Sequence, residues 1–164
     1  MDAPKTAKII QFHSEKCKGC NACMNACSQV HFKNDKGGIN SAIQIIKENN
    51  TYKMNNCNHC GLCIDMCPTG ALTRKKNGTV FLNAKICIGC QACVGFCPTA
   101  SMRHSNLRIE PFKCISCGAC VRACPEHALE LVSIPIKEIR KTVHHSYHGL
   151  EEEKEENSNV IGSE

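Results

Sequence analysis

The stretch Cys87-Ile-Gly-Cys-Gln-Ala-Cys-Val-Gly-Phe-Cys-Pro98 decides the fold of this chain. Its four cysteines follow the spacing C-x2-C-x2-C-x3-C, and the chain contains this spacing four times. The copies are Cys17–Cys27, Cys57–Cys67, Cys87–Cys97 and Cys114–Cys124, here named runs one to four. All 16 cysteines of the 164 residues lie in the four runs. The remaining sequence is therefore expected to pack, space and connect four groups of thiols.

The spacing of each run predicts iron–sulfur clusters. Three cysteines at two-residue intervals can surround one face of a cubane cluster, whereas the fourth lies beyond a short helix and is placed to bind a second cluster. Zinc is one alternative, but its sites usually consist of two C-x-x-C pairs. Disulfides are another alternative, and they belong mainly to exported chains. Neither alternative accounts for one spacing repeated four times.

Charge and composition limit the possible partners. The formal net charge is +5, but each thiolate-bound [4Fe–4S] cluster carries a formal charge of about −2. Four clusters would make the protein net negative, so no nucleic-acid partner is expected. No signal-peptide core and no apolar run of about 18 residues is present, so we expect a soluble, cytoplasmic protein without a membrane span.

The sequence outside the runs has no catalytic motif. It contains no nucleophile motif and no phosphate-binding glycine loop. Every cysteine is assigned as a cluster ligand, so no open iron position for a substrate is implied. We therefore expect no catalytic residues, and the protein alone is expected to have no enzymatic activity.

Short helices and short strands are expected around the clusters. Pro68, Pro98 and Pro125 follow the last cysteine of runs two to four and should end the helix there. Run one has Ser28 at this place, so its helix is expected to continue through 29–32. The predicted strand segments are 6–12, 42–46, 106–110 and 126–133, with a hairpin over 73–83 whose turn is Asn77-Gly78.

The chain changes character after Pro135. Ile136, Ile139 and Val143 follow helical spacing and predict a helix that packs on the cluster-binding body or on a partner. An acidic run at 151–156 follows, in a tail that is expected to be partly disordered. The predicted division is a four-cluster domain over 1–134 and a C-terminal helix with acidic tail over 135–164.

Two further segments have more than one interpretation. Arg74-Lys75-Lys76 is interpreted as a solvated hairpin tip, with docking of an acidic partner as the alternative. His31 and His59 lie beside cysteine runs. Each is either an ordinary histidine or a hydrogen-bonding neighbour that tunes a cluster.

Over residues 6–133 the chain resembles the four-cluster ferredoxin-type electron-transfer subunits of molybdenum and tungsten oxidoreductases, formate hydrogenlyase and carbon monoxide dehydrogenase systems. The resemblance rests on Cys17–Cys27 followed by His31, Cys57-Asn-His-Cys60, Cys67-Pro-Thr-Gly-Ala-Leu72, Cys87–Cys93 and Ala123-Cys-Pro-Glu-His-Ala-Leu129. Many members carry extra residues within runs two and four, and this chain has none. It is a compact version that resembles the small electron-transfer subunit of tungsten aldehyde oxidoreductases or of benzoyl-CoA-reductase-type complexes.

The resemblance implies an α+β fold of two ferredoxin-like 2[4Fe–4S] modules that share a pseudo-twofold. The inner module would span about 57–103, and the outer module about 6–30 plus 104–134. The implied ligand sets are nested: Cys17, Cys20, Cys23 and Cys124; Cys57, Cys60, Cys63 and Cys97; Cys87, Cys90, Cys93 and Cys67; Cys114, Cys117, Cys120 and Cys27. The alternative topology is tandem, with run one paired to two and run three to four.

The resemblance also implies a function. The chain would carry electrons through four [4Fe–4S] clusters as the iron–sulfur subunit of a larger oxidoreductase. Its partners would be a catalytic subunit, a tungsten- or molybdenum-pterin enzyme such as an aldehyde oxidoreductase, and a soluble electron acceptor or flavin subunit. The alternative is a free-standing soluble polyferredoxin that moves electrons between enzymes.

Overall fold

The computed structural model describes residues 4–33, 35 and 37–148. The described residues form eight short strands and five α-helices, with a 3-10 turn at Ser14–Lys16 before run one. The strands are β1 Thr6–Phe12, β2 Gln44–Glu48, β3 Thr51–Asn55, β4 Leu72–Arg74, β5 Val80–Leu82, β6 Arg103–Ser105, β7 Arg108–Phe112 and β8 Leu129–Pro135. The helices are α1 Ala22–His31, α2 Leu62–Asp65, α3 Ala92–Gly95, α4 Ala119–Ala123 and α5 Ile136–His148. This mixture of small helices and strands, repeated around the cysteine runs, confirms the α+β class.

The strands pair as four separate antiparallel ribbons, β1–β8, β2–β3, β4–β5 and β6–β7. The first ribbon joins the two ends of the cysteine-containing region, with a register from Thr6 opposite Pro135 to Phe12 opposite Leu129. Because β1 precedes run one and β8 follows run four, this pairing brings runs one and four together. Helices α1 and α4 of these runs also pack against each other, as do α2 and α3 of runs two and three.

Several local expectations are confirmed. β1 has the predicted bounds, the Asn77-Gly78 turn joins β4 to β5, and α1 continues past Ser28 to His31. The predicted strand over 42–46 is displaced, because Ala42 and Ile43 are fully buried before the strand begins at Gln44. Its partner β3, Thr51–Asn55, was not predicted, although Tyr52 and Met54 alternate there with polar residues.

Two other strand boundaries differ from expectation. The segment over 106–110 is not one strand, because Asn106 and Leu107 form the turn between β6 and β7. The closing strand was expected over 126–133 but begins at Leu129 and ends at Pro135. His127 has a left-handed φ of 49°, so the chain is still turning there.

The cysteines are part of the hydrophobic core. One core group joins Ile10, Ile43, Phe112 and Leu129 to buried cysteines of runs one, two and four. Another joins Leu72, Val80 and Met102 to Cys93. Because so few large apolar side chains are available, much of the buried interior is thiol, which binding of a metal group would consolidate.

Helix α5 packs on the cluster-binding body. The side chains of Ile139 and Val143 are each 4% exposed and contact a group that includes Ala7 and Cys60. The strand β8 leads directly into the helix at Pro135, and the Ile136 N–H donates to the Lys5 carbonyl at 2.9 Å. Of the two expectations for this segment, packing on the body is the one observed.

The acidic run 151–156 lies outside the described residues. No helix in the described part of the chain is long and apolar enough to cross a membrane.

We predict that Ile139→Ala destabilises the protein by about 2–4 kcal/mol, because it leaves a cavity between α5, β1 and run two. Thermal unfolding under anaerobic conditions, with iron content measured before and after heating, checks this. Lys137→Ala, on the exposed side of the same helix, is the matched control and should change stability by no more than about 0.5 kcal/mol. Equal melting temperatures for the two variants would contradict the packing role of α5.

Candidate metal centres

The four runs share one backbone conformation. In each run the residues immediately before and after the second cysteine have a positive φ, between 54° and 91°. One residue of each pair is a glycine and the other is polar. The pairs are Gly19 and Asn21, His59 and Gly61, Gly89 and Gln91, and Ser116 and Gly118.

These left-handed residues explain the turns of the runs. A left-handed residue on each side of the second cysteine reverses the chain twice within seven residues, and such turns point backbone N–H groups toward sulfur. The His59 N–H donates to Cys57 Sγ and the Ser116 N–H to Cys114 Sγ, both at 3.4 Å. Past the fourth cysteine, the Ala71 N–H donates to Cys67 Sγ at 3.2 Å and the Ala128 N–H to Cys124 Sγ at 3.3 Å.

Four cavities are each lined by four cysteines. In every case three are the first three cysteines of one run and the fourth is the last cysteine of another run. The sets are Cys57, Cys60, Cys63 and Cys97; Cys27, Cys114, Cys117 and Cys120; Cys67, Cys87, Cys90 and Cys93; Cys17, Cys20, Cys23 and Cys124. Each cavity is numbered after the run that supplies three of its cysteines. In the order just given, these are cavities two, four, three and one. All 16 predicted ligands therefore line a cavity, four to each.

The residues around each cavity fit a [4Fe–4S] cluster. The four cavities are similar in size. Thiolates are the soft ligands that iron–sulfur clusters use. Across residues 4–33, 35 and 37–148, no three Cys, His, Asp or Glu side chains converge as ligands of a single metal ion. The thiols of each set instead stand around a space.

The thiol pKa values describe crowded, buried donors. Burial, followed by neighbouring cysteines, raises the pKa of Cys63 and Cys120 to about 12 and that of Cys93 to about 11. Buried thiols of this kind become thiolates when a cationic core replaces their protons. Burial also raises the pKa of Cys97, but hydrogen bonds led by the Thr99 hydroxyl outweigh it, and the net shift is downward.

His59 is fully buried and links run two to run four. Its Nδ1 accepts from the Val80 N–H at 3.0 Å, so Nε2 carries the proton and donates to Ser116 Oγ at 2.9 Å. The Ser116 hydroxyl in turn donates to the Lys8 carbonyl at 2.7 Å. Burial, then Lys113 and Arg74, lowers the pKa of His59 to about 3. The ring is therefore a neutral hydrogen-bonding bridge between the two runs and β1.

The interpretation of Arg74 as part of a solvated tip is wrong. Its guanidinium folds back and donates to the carbonyls of His59 at 2.9 Å, Gly78 at 2.6 Å and Cys60 at 3.0 Å. Lys75, by contrast, is exposed and lies over the Phe81 ring at 4.1 Å. Arg74 therefore holds the second cysteine of run two against the β4–β5 hairpin. Asn77-Gly78 predicted the hairpin, but no local signal predicted where the arginine side chain would reach.

Lys113 is a site residue that sequence reasoning missed. Its side chain lines cavity two although it precedes the first cysteine of run four, and the residue is 3% exposed. The ammonium donates to the carbonyls of Val80 and, at 3.2 Å, Cys114. In the sequence it is one lysine among many, and only its position next to Cys114 could have drawn attention to it.

Comparison with known families agrees with this geometry. A family model described as "4Fe-4S dicluster domain" matches residues 16–71, 56–101 and 113–156, and a second model with the same description matches 79–125. Taken together, these matches cover all 16 cysteines, a number that suits four [4Fe–4S] clusters.

The chain is also similar to two reductase subunits and to a ferredoxin-like protein. It is 33% identical over 97 residues to the thiosulfate reductase electron transfer subunit PhsB of Salmonella typhi, covering 51% of this chain and 49% of that protein. It is 37% identical over 84 residues to the arsenate respiratory reductase iron-sulfur subunit ArrB of a Shewanella strain, covering 46% and 35%. An uncharacterized ferredoxin-like protein, YdhX of Escherichia coli, is 33% identical over 94 residues, covering 52% and 42%.

The matched part is less than half the length of each of these three relatives. Among solved structures, the BamBC active-site complex of benzoyl coenzyme A reductase aligns with a TM-score of 0.45 at 17% identity, covering 88% of this chain and 90% of that one. The four repeated runs, their sixteen thiols and the family matches together place the chain in the 4Fe-4S dicluster domain family.

Proposed function

We propose that this chain is an electron-transfer protein and acts as the non-catalytic iron–sulfur subunit of a larger oxidoreductase. The single observation that carries the proposal is the set of four cavities with four cysteines each. When bound there, [4Fe–4S] clusters supply one-electron transfer. The chain's own residues hold them, since all 16 cysteines are occupied as ligands and none is left for substrate chemistry.

The proposed ligand sets are nested, with each run taking its fourth ligand from its partner run. Runs one and four would exchange Cys27 and Cys124, and runs two and three would exchange Cys67 and Cys97. The cavity linings support this over tandem pairing, in which runs one and two would share cavities. The β1–β8 ribbon supports an outer module made from both ends of the region 1–134, around an inner module at about 57–103. A pseudo-twofold between the modules is part of the same proposal.

The proposed partners are a catalytic subunit and an electron acceptor. The relatives are named as subunits of thiosulfate and arsenate reductases, which supports a molybdenum- or tungsten-pterin enzyme, such as an aldehyde oxidoreductase, as catalytic partner. The second partner would be a soluble acceptor or a flavin subunit. A cytoplasmic location belongs to the proposal, because a reducing compartment keeps cysteines as thiols that can bind clusters.

Exposed apolar side chains beside run three support a subunit role. Ile88 is 65% exposed, Phe96 56% and Ile109 73%. Ile109 lies against run three, since the Gln91 side-chain amide donates to its carbonyl at 3.0 Å next to the exposed Cys90, and a Cβ at Gly89 would overlap its Cγ2. Large apolar side chains gathered near a surface cysteine are typical of a contact surface for another protein.

We predict about 16 iron atoms per chain after anaerobic purification, four in each of four clusters. Native purification from the source organism should yield the chain together with a larger subunit. Zinc in place of iron would contradict the cluster assignment. A lone 18.0 kDa species on a sizing column, with full iron content, would favour the free polyferredoxin instead.

A further inference from the structure

Cavity two has a buried lysine in its lining. Lys113 lines it and is 3% exposed, so its ammonium is inside the protein. The ammonium donates to the Val80 and Cys114 carbonyls and lies 3.4 Å from His59 Nδ1. None of these three groups carries a formal negative charge. Among the described residues no carboxylate pairs with Lys113, so an anionic group in cavity two would balance its charge.

Two arginines add to this charge. The half-buried Arg74 binds the Cys60 carbonyl, which also accepts from Arg140 Nε at 3.2 Å. Burial and then Arg140 lower the pKa of Arg74, whereas Cys60, Cys63 and Cys57 oppose that shift. Two guanidiniums on one carbonyl repel each other, and an anionic group bound by those cysteines would relieve the repulsion.

Arg103 is connected to the lining of cavity two through Asn55, whose side-chain amide donates to the carbonyl of the lining residue Thr99 at 2.7 Å. Arg103 donates to Asn55 Oδ1 at 2.7 Å, and its buried Nε has no acceptor in the structure. Burial lowers the pKa of Arg103, while the nearby Cys27 and Cys97 oppose the shift. The guanidinium therefore lies within the electrostatic influence of cavity two, and also of cavity four.

Among the described residues, no lysine or arginine lines cavity three or cavity four, whereas Lys113 lines cavity two. At cavity one, Lys18 forms an ion pair with Glu126 at 3.1 Å, so its charge is compensated. At cavity three, the lining side chains other than the cysteines are all uncharged. Among the described residues, no ion pair involves Arg74, Arg103 or Lys113.

Fixed positive charges beside a bound cluster raise the reduction potential of that cluster. Reduction adds one electron, and burial alone would oppose the added negative charge. A fixed cation at a buried site offsets this strongly, because electrostatic interactions are larger in a low dielectric than in water. Hydrogen bonds to sulfur act in the same direction. Cys97 has two hydroxyl neighbours, Thr99 at 3.6 Å and Ser101 at 3.7 Å.

We propose that Lys113, supported by Arg74 and Arg103, gives the cluster of cavity two the highest reduction potential of the four. The first electron that enters the protein would then reside between Cys57, Cys60, Cys63 and Cys97. It comes from an external one-electron reductant, and no proton or bond is exchanged. This inference rests on the proposed function, because it requires clusters in the cavities.

The test is a potentiometric titration of the full-length holoprotein with dithionite, followed by electron paramagnetic resonance. In Lys113→Met, the equilibrium constant for the first reduction should fall at least about tenfold, a shift of about 59 mV for one electron. Lys113→Arg keeps the charge and should restore the potential. Lys47→Met removes an exposed lysine on β2 and should leave all four potentials unchanged. An unshifted first potential in Lys113→Met would overturn the proposal.

A second measurement identifies the cluster. Cys60 lines cavity two and Cys90 lines cavity three. The signal that appears first in the titration should therefore be lost or altered in Cys60→Ser and kept in Cys90→Ser. The opposite result would overturn the inference while leaving electron transfer itself intact. If Lys113→Met binds less iron, Arg103→Gln takes its place, and an unchanged first potential there counts against the proposal. Failure of the proposed function is distinct, since it would show as a wild-type protein without four clusters.

Discussion

Cys97→Ser is expected to damage the cluster of run two and to spare that of run three, although Cys97 belongs to run three. The reason is the position of its thiol, which lines cavity two together with Cys57, Cys60 and Cys63. With one ligand replaced, that cluster should lose iron, and about 12 of 16 iron atoms should remain in the protein. Iron analysis of anaerobically purified protein gives the first readout.

Double variants make the ligand assignment decisive. Cys97→Ser with Cys60→Ser removes two ligands of one cavity, so the iron content should stay near 12. Cys97→Ser with Cys90→Ser removes ligands of two cavities and should lower it to about 8, because effects at independent sites add. If each run held its own cluster, the two results would be exchanged. Paramagnetic resonance of the reduced proteins should show the same number of missing signals.

Gly78→Ala is expected to cause the largest loss of stability of any conservative substitution considered. Gly78 has φ +79°, and a Cβ there would overlap the Thr6 carbonyl oxygen and lie 2.6 Å from Ala7 Cα. These are backbone atoms of β1, paired in the β1–β8 ribbon, so they cannot yield by rotating a side chain. We expect a cost of about 4 kcal/mol or more, and a melting temperature lower by at least about 10 °C.

Gly70→Ala is the matched control for that substitution. Gly70 has a similar φ of +66°, but a Cβ there would meet nothing within 4 Å. Only the left-handed backbone is penalised, at about 1–2 kcal/mol. Anaerobic thermal unfolding of both variants separates the two costs. Similar melting temperatures would show that the hairpin is not pressed against β1 as the structure describes.

Local features of the fold were predictable because their causes are local. The cysteine spacing, the prolines after three runs and the Asn77-Gly78 turn each act within about a dozen residues. They indicated the number of cysteine groups, three of the helix ends and one hairpin. Ser28 in place of proline correctly predicted the longer α1. The β2–β3 hairpin was predicted only in part, since β3 is five residues long and its alternating pattern contains only Tyr52 and Met54.

The electrostatic surroundings of the cysteines were not predictable in the same way. Arg74 belongs to a basic triplet that is typical of a solvated turn, yet its side chain returns to the carbonyls of run two. Lys113 precedes run four but lines the cavity of run two. His59 reaches Ser116, which is 57 residues away in the sequence. Long polar side chains can point in many directions, and the packing around them decides which one they take.

By itself, the sequence determined that this chain carries four equivalent groups of four thiols, suited to iron–sulfur clusters and joined by short helices and strands. Ligand spacing acts over a few bonds and needs no knowledge of distant segments. Only the tertiary structure decided which thiols share a cavity and which cavity receives the buried cations. Both depend on β1 pairing with β8 and on side chains that meet across long separations. A spacing motif restricts its own residues, but it does not specify which other segment of the protein packs beside them.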